Sequence, residues 1–337
     1  MPVYVAVERL ESGRLGRVRF GLPERPNSKQ IIDFACTTIE PGSTGARFTD
    51  LRLLTRYRRT QISERTREAQ RLHKALEDTG IKLACVATDI LGKSGRDMLN
   101  ALVAGTTDPD VLADLARGKL RPKIPALKEA LQGRFEPLHA MLIGAILAHL
   151  DFLDEQIEQL SKAIEEQMRP FARQAELLGT IPGVAQRTAE IIIAEIGTDM
   201  SVFPSAGHLA SWAGQCPGND QSAGKRRSGK TRKGSKNLNA ALNDAAMAAL
   251  RTNDSYLQAL YRRKKAQIGH AKALGAVKHS ILCACWHMLT NGELYRDLGG
   301  DYYTRRNPER QTNRLVAQLE RLGHTVTLTQ TAVRDAA

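Results

Sequence analysis

The 337-residue sequence lacks most of the features that mark secreted and membrane proteins. It contains no run of about 18 apolar residues, so we expect no membrane span. Its N-terminus, MPVYVAVERLESG, has neither the apolar core nor the cleavage site of a secretory signal peptide. Its five cysteines are odd in number and form no CxxC pair. This usage favours a reducing cytoplasm over secretion and provides no zinc-binding motif.

Acidic residues are scarce relative to basic ones. The chain has 49 Lys and Arg against 36 Asp and Glu, which gives a formal net charge of +13. At this excess the first partner to consider is a polyanion such as DNA. Apolar residues make up 42% of the chain, which is typical of a globular protein of two or three domains.

The sequence changes character along its length and predicts four segments. Residues 1–47 contain short β-like pieces broken by Gly, Pro and Ser, and residues 48–170 read as a helical region with a coiled-coil seam. Residues 171–303 read as a helix-hairpin-helix followed by a basic loop and further helices, and residues 304–337 as a mixed tail. The predicted fold class is therefore mainly α, with a small irregular N-terminal β portion.

A helix of about 30 residues is predicted from Phe48 to a stop near Gly80. Its apolar stripe comprises Leu51, Leu54, Ile62, Ala69, Leu72 and Leu76. Its other faces carry Arg52, Arg56, Arg58, Arg59, Arg65, Arg67, Arg71 and Lys74. These cations either form a solvated face or lie along phosphates, and the small number of interleaved acids favours phosphates.

A sustained a/d pattern covers three heptads between residues 143 and 164. The seam residues are Ile143, Ile146, Leu150, Leu153, Ile157, Leu160 and Ile164. The seam fits either an intramolecular helical hairpin or a dimer contact, and we expect a homo-oligomer through it. Upstream, Asp108, Asp110 and Asp114 precede or begin a helix, where carboxylates serve as caps rather than metal ligands.

Residues 171–197 have the sequence form of a helix-hairpin-helix with the turn Ile181-Pro182-Gly183-Val184. Gly183 permits close backbone approach, and amides at the start of a helix can hold a phosphate. We therefore predict DNA-backbone contact at Gly183 and Val184. The alternative is a simple helical turn with a Pro-Gly hinge.

The stretch CPGNDQSAGKRRSGKTRKGSK, residues 216–236, holds seven Lys or Arg and one acid. Its Gly and Ser content predicts a flexible loop that binds phosphates. The predicted DNA-binding cations are Lys225, Arg226, Arg227, Lys230, Arg232 and Lys233. Ser222 is flanked by small residues, but serine needs a base or a metal to become a nucleophile, and Asp220 is the only acid nearby. These residues by themselves favour a phosphate-binding loop over a catalytic serine.

Residues Leu51 to Tyr303 resemble the transposases of the insertion-sequence group that includes the pilin-inversion DNA invertase and the bridge-RNA-guided recombinases. The matching stretches are LLTRYRRTQISERTREAQRLHKALEDTGIKL, HLDFLDEQIEQL, LLGTIPGVAQRTAEIIIAEIGTDMSVFPSAGHLASWAGQCPGNDQSAGKRRSGKTRKG and YRDLGGDYY. The resemblance implies a C-terminal transposase domain whose serine attacks DNA and forms a phosphoserine link. That serine matches Ser222, which becomes the expected catalytic residue; Ser228 and Ser235 lie nearby.

The resemblance also implies an N-terminal RNase-H-like domain with four magnesium-binding carboxylates, oligomers and a structured guide RNA. Here 50 residues precede Leu51, no Asp-x-x-Asp pair occurs among them, and an α/β domain needs roughly 100. The acids in this region are Glu8, Glu11, Glu24, Asp33, Glu40 and Asp50. We therefore expect the metal-binding domain to be missing or replaced, and we identify no magnesium ligands.

Three functions follow from these patterns. The first is a DNA recombinase of an insertion sequence that cuts and rejoins strands through Ser222. The second is a truncated, catalytically inactive remnant that binds nucleic acid, and the third is a helix-hairpin-helix repair or structural DNA-binding protein. All three predict a prokaryotic cytoplasmic protein associated with the nucleoid.

Overall fold

The structure of the chain is a computed structural model that describes the backbone of residues 4–9, 15–21, 44–218 and 220–329. Side chains are described within residues 47–218, 222–225 and 229–329. The chain divides into two compact units, Met1–Met168 and Arg169–Ala337.

The N-terminal β portion contains an antiparallel hairpin of β1 (Tyr4–Arg9) and β2 (Leu15–Gly21). Val7 pairs with Val18, and the register shifts between Val7 and Arg9. The side chains of Glu8, Glu11, Glu24, Asp33 and Glu40 lie outside the described residues.

The rest of the first unit is helical. Its elements are α1 (Thr44–Asp78), α2 (Leu83–Val86), α3 (Lys93–Val103), α4 (Pro109–Asp114), a 3-10 turn (Gly118–Lys123), α5 (Ile124–Ala130) and α6 (Pro137–Met168). The 35 residues of α1 span about 52 Å. The helix ends two residues before Gly80, which has a φ of +81°. The predicted long helix and its stop are thus confirmed.

Helices α1 and α6 form an antiparallel hairpin. Arg65 of α1 forms an ion pair with Asp154 of α6, and the guanidinium of Arg58 donates to the Ser161 hydroxyl at 3.5 Å. The seam residues of α6 are buried, apart from the half-buried Leu160. The structure therefore decides the alternative that the sequence left open, because the 143–164 seam packs within its own chain and not against a second copy.

The buried face of α1 is more polar than its apolar stripe predicts. Leu51, Leu72 and Leu76 are buried as expected, whereas Leu54, Ile62 and Ala69 are only half-buried. The buried positions between them are held by Thr55, Arg58, Gln61 and Glu68. Arg58 is only 3% exposed, so its assignment to a phosphate-facing surface is wrong. Arg65 and Arg71 are paired with Asp154 and Glu68.

Short helices α2 to α5 close the core of the first unit beside the ends of the hairpin. Leu72 and Leu76 of α1 and Ile143 to Leu150 of α6 share one apolar cluster with Leu83, Met98, Leu99, Leu112 and Leu127. The carboxylate of Asp108 accepts from the Asp110 amide at 2.9 Å and caps α4. The predicted capping role of Asp108 is thereby confirmed.

Helix α6 carries a second apolar stripe that is exposed. Leu138, Met141, Leu142 and Phe152 are 65%, 69%, 48% and 55% exposed, and their spacing puts them on one helical face. By length and composition alone, one helical stretch, Pro137–Gly179, would suffice to cross a membrane, and a core helix passes the same test. On this helix, Asp151 and Asp154 form ion pairs with Arg96 and Arg65.

The second unit is built around one long apolar helix. Its elements are a 3-10 turn (Arg169–Phe171), α7 (Ala172–Gly179), α8 (Gln186–Ile196), a 3-10 turn (Met200–Val202), α9 (Ala206–Trp212), β3 (Asp220–Ser222), β4 (Lys225–Ser228), α10 (Lys236–Ala249), α11 (Tyr256–Ile268), α12 (His270–Asn291), α13 (Tyr302–Arg306) and α14 (Pro308–Arg321).

Helix α12 packs against α7, α9, α10 and α11. Its buried side includes Val277, Ile281 and Cys285. Complete burial raises the pKa of the Cys285 thiol to about 12, as expected for a small core residue. The Ala-rich helix α10 lies between α8 and α12, because its small side chains allow close packing on both sides.

Candidate nucleic-acid interface

The cationic stretch forms a hairpin where the sequence predicted a flexible loop without strands. Strands β3 and β4 are antiparallel, and Ser222 pairs with Lys225 across a two-residue turn. The turn residues Ala223 and Gly224 have φ values of +49° and +75°. Positive φ at both positions is the geometry of the tight hairpin turn that matches the twist of β-strands. We call residues 214–234 the ribbon.

The base of the ribbon is closed by backbone contacts. Pro217 and Thr231 form an isolated antiparallel bridge, and the Gly218 amide donates to the Lys230 carbonyl at 3.0 Å. Gly214 and Gly234 approach so closely that a Cβ on Gly234 would lie 2.1 Å from the Ala213 carbonyl oxygen. Only glycine fits this crossing, which anchors both ends of the ribbon to α9 and α10.

The end of the ribbon is also fixed by Ser235. Its hydroxyl accepts from the Leu238 amide at 3.3 Å, which caps α10, and donates to a carboxylate oxygen of Glu195 at 2.9 Å. Glu195 is 3% exposed on α8. The hydroxyl of Ser235 is therefore used in holding α8, the ribbon and α10 together.

Ser222 occupies the position directly before the turn, and its side chain is exposed. In the part of the chain whose side chains are described, no group hydrogen-bonds to its hydroxyl. The side chains of Asp220 and Ser228 lie outside that part. The ribbon thus presents the hydroxyl of Ser222 at its tip, next to the exposed Lys225.

The predicted DNA-binding cations lie along this ribbon. Lys225, Lys230, Arg232 and Lys233 are exposed. Arg226 and Arg227 belong to β4, and their side chains lie outside the described residues. A row of exposed cations on an anchored ribbon suits the sequence-independent binding of a phosphate backbone.

The turn between α7 and α8 uses Gly183 differently from the sequence-based expectation. Gly183 has a φ of +85°, and a Cβ there would lie 2.2 Å from the Ala245 carbonyl oxygen of α10. Val184 is buried, and its amide donates to the Ile181 carbonyl at 3.0 Å. The close approach that Gly183 permits is therefore to the protein's own helix.

DNA contact at this turn stays a prediction. The exposed residues there are Ala185, Gln186 and Arg187, at the start of α8. Ala185 occupies the N-cap position in an extended conformation and forms no side-chain cap. The Val184 amide is already engaged, whereas amides at an exposed helix start are groups that can hold a phosphate.

A polar network that sequence reasoning missed lies at the base of the ribbon. The side chain of Asn239 accepts from Gln215 at 3.2 Å and from the Lys278 ammonium at 2.9 Å. Partial burial lowers the pKa of Lys278. Trp212, at the end of α9, is 52% exposed just before the ribbon starts. The sequence around Ser235 contains a signal for a helix cap. The contacts of Asn239 with Gln215 and Lys278 join residues distant in sequence, so no local pattern could predict them.

The described residues do not fit the magnesium site that the family resemblance implies. They contain no group of three or more His, Cys, Asp and Glu side chains that could hold a metal ion. Many of their carboxylates have other roles: Asp110, Asp151 and Asp154 are in ion pairs, and Asp108 caps a helix. We therefore assign no step of the chemistry to a metal.

Part of the second unit, including its cationic ribbon, is similar in sequence to transposase domains. Residues 175–262 match the sequence model of the family described as Transposase IS116/IS110/IS902. The matched residues include α8, the ribbon, Ser222 and the start of α11.

Similar proteins are found among insertion-element proteins. The chain is 27% identical over 266 residues to the insertion element IS900 42 kDa protein of Mycobacterium paratuberculosis, covering 73% of this chain and 65% of that protein. It is 28% identical over 191 residues to the insertion element IS110 43.6 kDa protein of Streptomyces coelicolor, covering 52% and 46%. It is 44% identical over 70 residues to the pilin gene-inverting protein of Moraxella bovis, covering 21% and 20%. The matches thus span from a fifth to about two thirds of these relatives.

Proposed function

We propose that this protein is a DNA recombinase of an insertion sequence that cuts and rejoins strands through Ser222. The observation that carries the proposal is the placement of an exposed serine hydroxyl at the tip of an anchored cationic ribbon. The matched transposase domain and the similarity to insertion-element proteins support it. Ser235 is the weaker nucleophile candidate, because its hydroxyl is engaged by Glu195 and the Leu238 amide.

The proposed step is an attack of the Ser222 oxygen on the phosphorus of a phosphodiester. A bond forms between that oxygen and phosphorus, and the phosphorus–oxygen bond to the departing strand end breaks. The serine proton passes to a base, and the departing oxygen is protonated. Rejoining reverses these changes when the hydroxyl of another strand end attacks the phosphoserine. Lys225 and its neighbours would stabilise the negative charge that builds up on the phosphate oxygens.

One observation favours the alternative of a catalytically inactive nucleic-acid-binding protein. In the described side chains, no carboxylate or imidazole lies within hydrogen-bonding distance of the Ser222 hydroxyl. Without a base, serine is a poor nucleophile at neutral pH. The active protein would need this group from a part of the chain outside the described residues, from another copy or from the nucleic acid.

A covalent trapping experiment separates the two functions. The chain is incubated with magnesium and a labelled plasmid that carries the genomic DNA flanking its coding sequence, then denatured and resolved by electrophoresis. We expect a protein–DNA adduct that Ser222→Ala abolishes and that Ser211→Ala, at an exposed serine of α9, preserves. No adduct with the unmodified chain, or an adduct that survives Ser222→Ala, would contradict the proposed nucleophile.

We also propose that the protein acts on DNA as a homo-oligomer with a structured RNA as guide, in the prokaryotic nucleoid. The exposed stripe of Leu138, Met141, Leu142 and Phe152 on α6 supports self-association, since the neighbouring seam is already covered by α1. Sedimentation should show an oligomer that Met141→Glu dissociates. The guide is tested by adding RNA transcribed from the same plasmid to the trapping reaction, which should increase the adduct.

A further inference from the structure

A cleft of about 1180 Å³ lies in the second unit, apart from the residues of the ribbon. Its walls come from α11 on one side and from α13 and α14 on the other. Sequence patterns did not point to it, because the segment from residue 304 onward shows no clear pattern by itself. The tertiary structure brings this segment against the basic helix α11.

The lining of the cleft is strongly cationic. Five arginines line it, and Asp254 is the one carboxylate among the lining residues. The arginines are Arg262, Arg263, Arg306, Arg310 and Arg314. All five are exposed, and none of them forms a salt bridge with any described residue. Five guanidinium groups without an ion-pair partner among the described residues repel one another around this cavity, so an anionic ligand would stabilise the arrangement.

One of these arginines is held in place by aromatic rings. The guanidinium carbon of Arg263 lies 4.4 Å from the centroid of the Tyr303 ring. On the same tyrosine, the Tyr256 ring is stacked at 5.8 Å with an angle of 27° between the planes, and the two hydroxyls are 3.3 Å apart. A guanidinium that stacks by its face keeps its N–H donors for a ligand, and phosphate oxygens match their geometry.

The arginines are distributed along the length of the cleft. Arg310 and Arg314 are four residues apart in α14, so both lie on one face with a rise of about 6 Å between them. Arg306, at the end of α13, is separated from α14 by the non-helical Asn307 and also lines the cleft. A series of cations at successive positions fits a chain of phosphates better than one small anion.

The arrangement of the cations favours a single strand over a duplex. The cleft is a concavity of about 1180 Å³ with arginines on two walls, one from α11 and one from α13 and α14. A flexible single strand can enter this concavity and contact both walls, whereas a DNA duplex is a stiff rod that contacts a surface from outside. We infer that this cleft binds the phosphate backbone of a single-stranded stretch of nucleic acid, independently of the base sequence.

The site goes beyond the proposed strand-cutting reaction and does not depend on Ser222. It provides a second binding site for a polynucleotide. Either a displaced DNA strand or an unpaired RNA segment could bind there. Both carry the same phosphodiester chemistry, so the test uses both.

Fluorescence anisotropy with labelled oligonucleotides tests the site in the full chain. The probes are a 12-residue oligothymidylate, a 12-residue oligouridylate and a 12-base-pair duplex. The variant Arg310→Glu/Arg314→Glu should weaken binding of at least one single strand tenfold or more, and the duplex by less. The tighter-bound single strand identifies DNA or RNA as the ligand. The matched control Arg296→Glu/Arg321→Glu makes the same change of charge at exposed positions outside the cleft. It should lower the affinity for either single strand by less than threefold.

Two results would overturn the inference. One is an equal loss of single-strand affinity in the cleft variant and in its charge-matched control. The other is competition by a thymidine dinucleotide as effective as that of the 12-residue strand, which would indicate a small-anion site. Circular dichroism checks that both variants are folded. The trapping experiment reads a covalent adduct and this experiment reads reversible affinity, so a failure of one is distinguishable from a failure of the other.

Discussion

The hydroxyl of Ser235 donates a hydrogen bond to the carboxylate of Glu195, with 2.9 Å between the oxygens. The two residues are 40 positions apart in the sequence. The contact joins the buried side of α8 to the residue that lies between the cationic ribbon and α10 and caps that helix. The position of the ribbon, and of Ser222 at its tip, therefore depends on a capping serine that is outside the reaction itself.

Replacement of this serine should destabilise the second unit. Ser235→Ala removes the cap of α10 and a partner of Glu195, and we expect the free energy of unfolding to fall by about 1–2 kcal/mol. Urea denaturation followed by circular dichroism measures the change. Ser211→Ala, at an exposed position on α9, should stay within about 0.5 kcal/mol of the unmodified chain. Equal midpoints for the two variants would contradict the role of Ser235.

A methyl group at Gly183 should be poorly tolerated. A Cβ there would lie 2.2 Å from the Ala245 carbonyl oxygen, and the φ of +85° is unfavourable for alanine. We expect Gly183→Ala to lower the unfolding free energy by about 2 kcal/mol or more. Gly179→Ala is the matched control, because a Cβ at that position meets no atom within 4 Å. If Gly183→Ala and Gly179→Ala lowered the melting temperature by the same amount, the close contact between Gly183 and α10 would be ruled out.

Two arginines on α1 should behave in opposite ways. Arg58 is 3% exposed and lies between α1 and α6, so Arg58→Ala should cost about 3 kcal/mol of stability. Arg67 is exposed, and Arg67→Ala should leave the stability within about 0.5 kcal/mol. Guanidinium chloride unfolding of both variants measures the contrast. A stable Arg58→Ala protein would show that the buried guanidinium is dispensable for the hairpin.

The ribbon cations should control the affinity for DNA without selecting a sequence. Neutralising Lys225, Arg226 and Arg227 together should weaken binding to unrelated duplexes about equally. The slope of log affinity against log salt should also fall by about 0.9 for each lost phosphate contact. The control Lys128→Ala/Arg134→Ala/Lys162→Ala removes cations that are paired with Asp110, Glu136 and Glu158. A loss confined to one DNA sequence, or an equal loss in the control, would contradict backbone binding.

Acidification should destabilise the second unit through His279. Partial burial lowers the pKa of His279 below its ordinary value of 6.5, so the unfolded chain binds this proton more readily than the folded one. Stability is therefore fully present above pH 6.5 and is lost as the pH falls through the lower pKa of the folded state. Urea midpoints between pH 8 and pH 5 measure the loss. The variant His279→Gln should lose less stability between pH 8 and pH 5. If its urea midpoints fell with pH as those of the unmodified chain do, His279 would be excluded as the source of the acid destabilisation.

Local patterns predicted the long helices well. The stripe that begins at Leu51 and the seam from Ile143 to Ile164 depend on the helical period, which neighbouring residues determine. The cap at Asp108 was predictable for the same reason. The hairpin around Ser222 was not predicted, because Ala223 is an uncommon residue at a positive φ and the strands are only three and four residues long.

The role of a single residue was less predictable where it depended on a distant partner. Gly183 has the conformational freedom that the turn requires, but only the position of α10 shows what the glycine approaches. Arg58 has the same sequence context as its exposed neighbours, and only the docking of α6 buries it.

The sequence by itself determined that this protein is mainly helical, strongly cationic and similar to transposases, because periodicity, charge and motifs are local properties. The tertiary structure decided which cations are exposed, which seam is already occupied and how Ser235 anchors the ribbon. It also placed Arg310 and Arg314 opposite Arg262 and Arg263. These facts depend on contacts between residues far apart in the chain, and burial and pairing are properties of the packed fold alone.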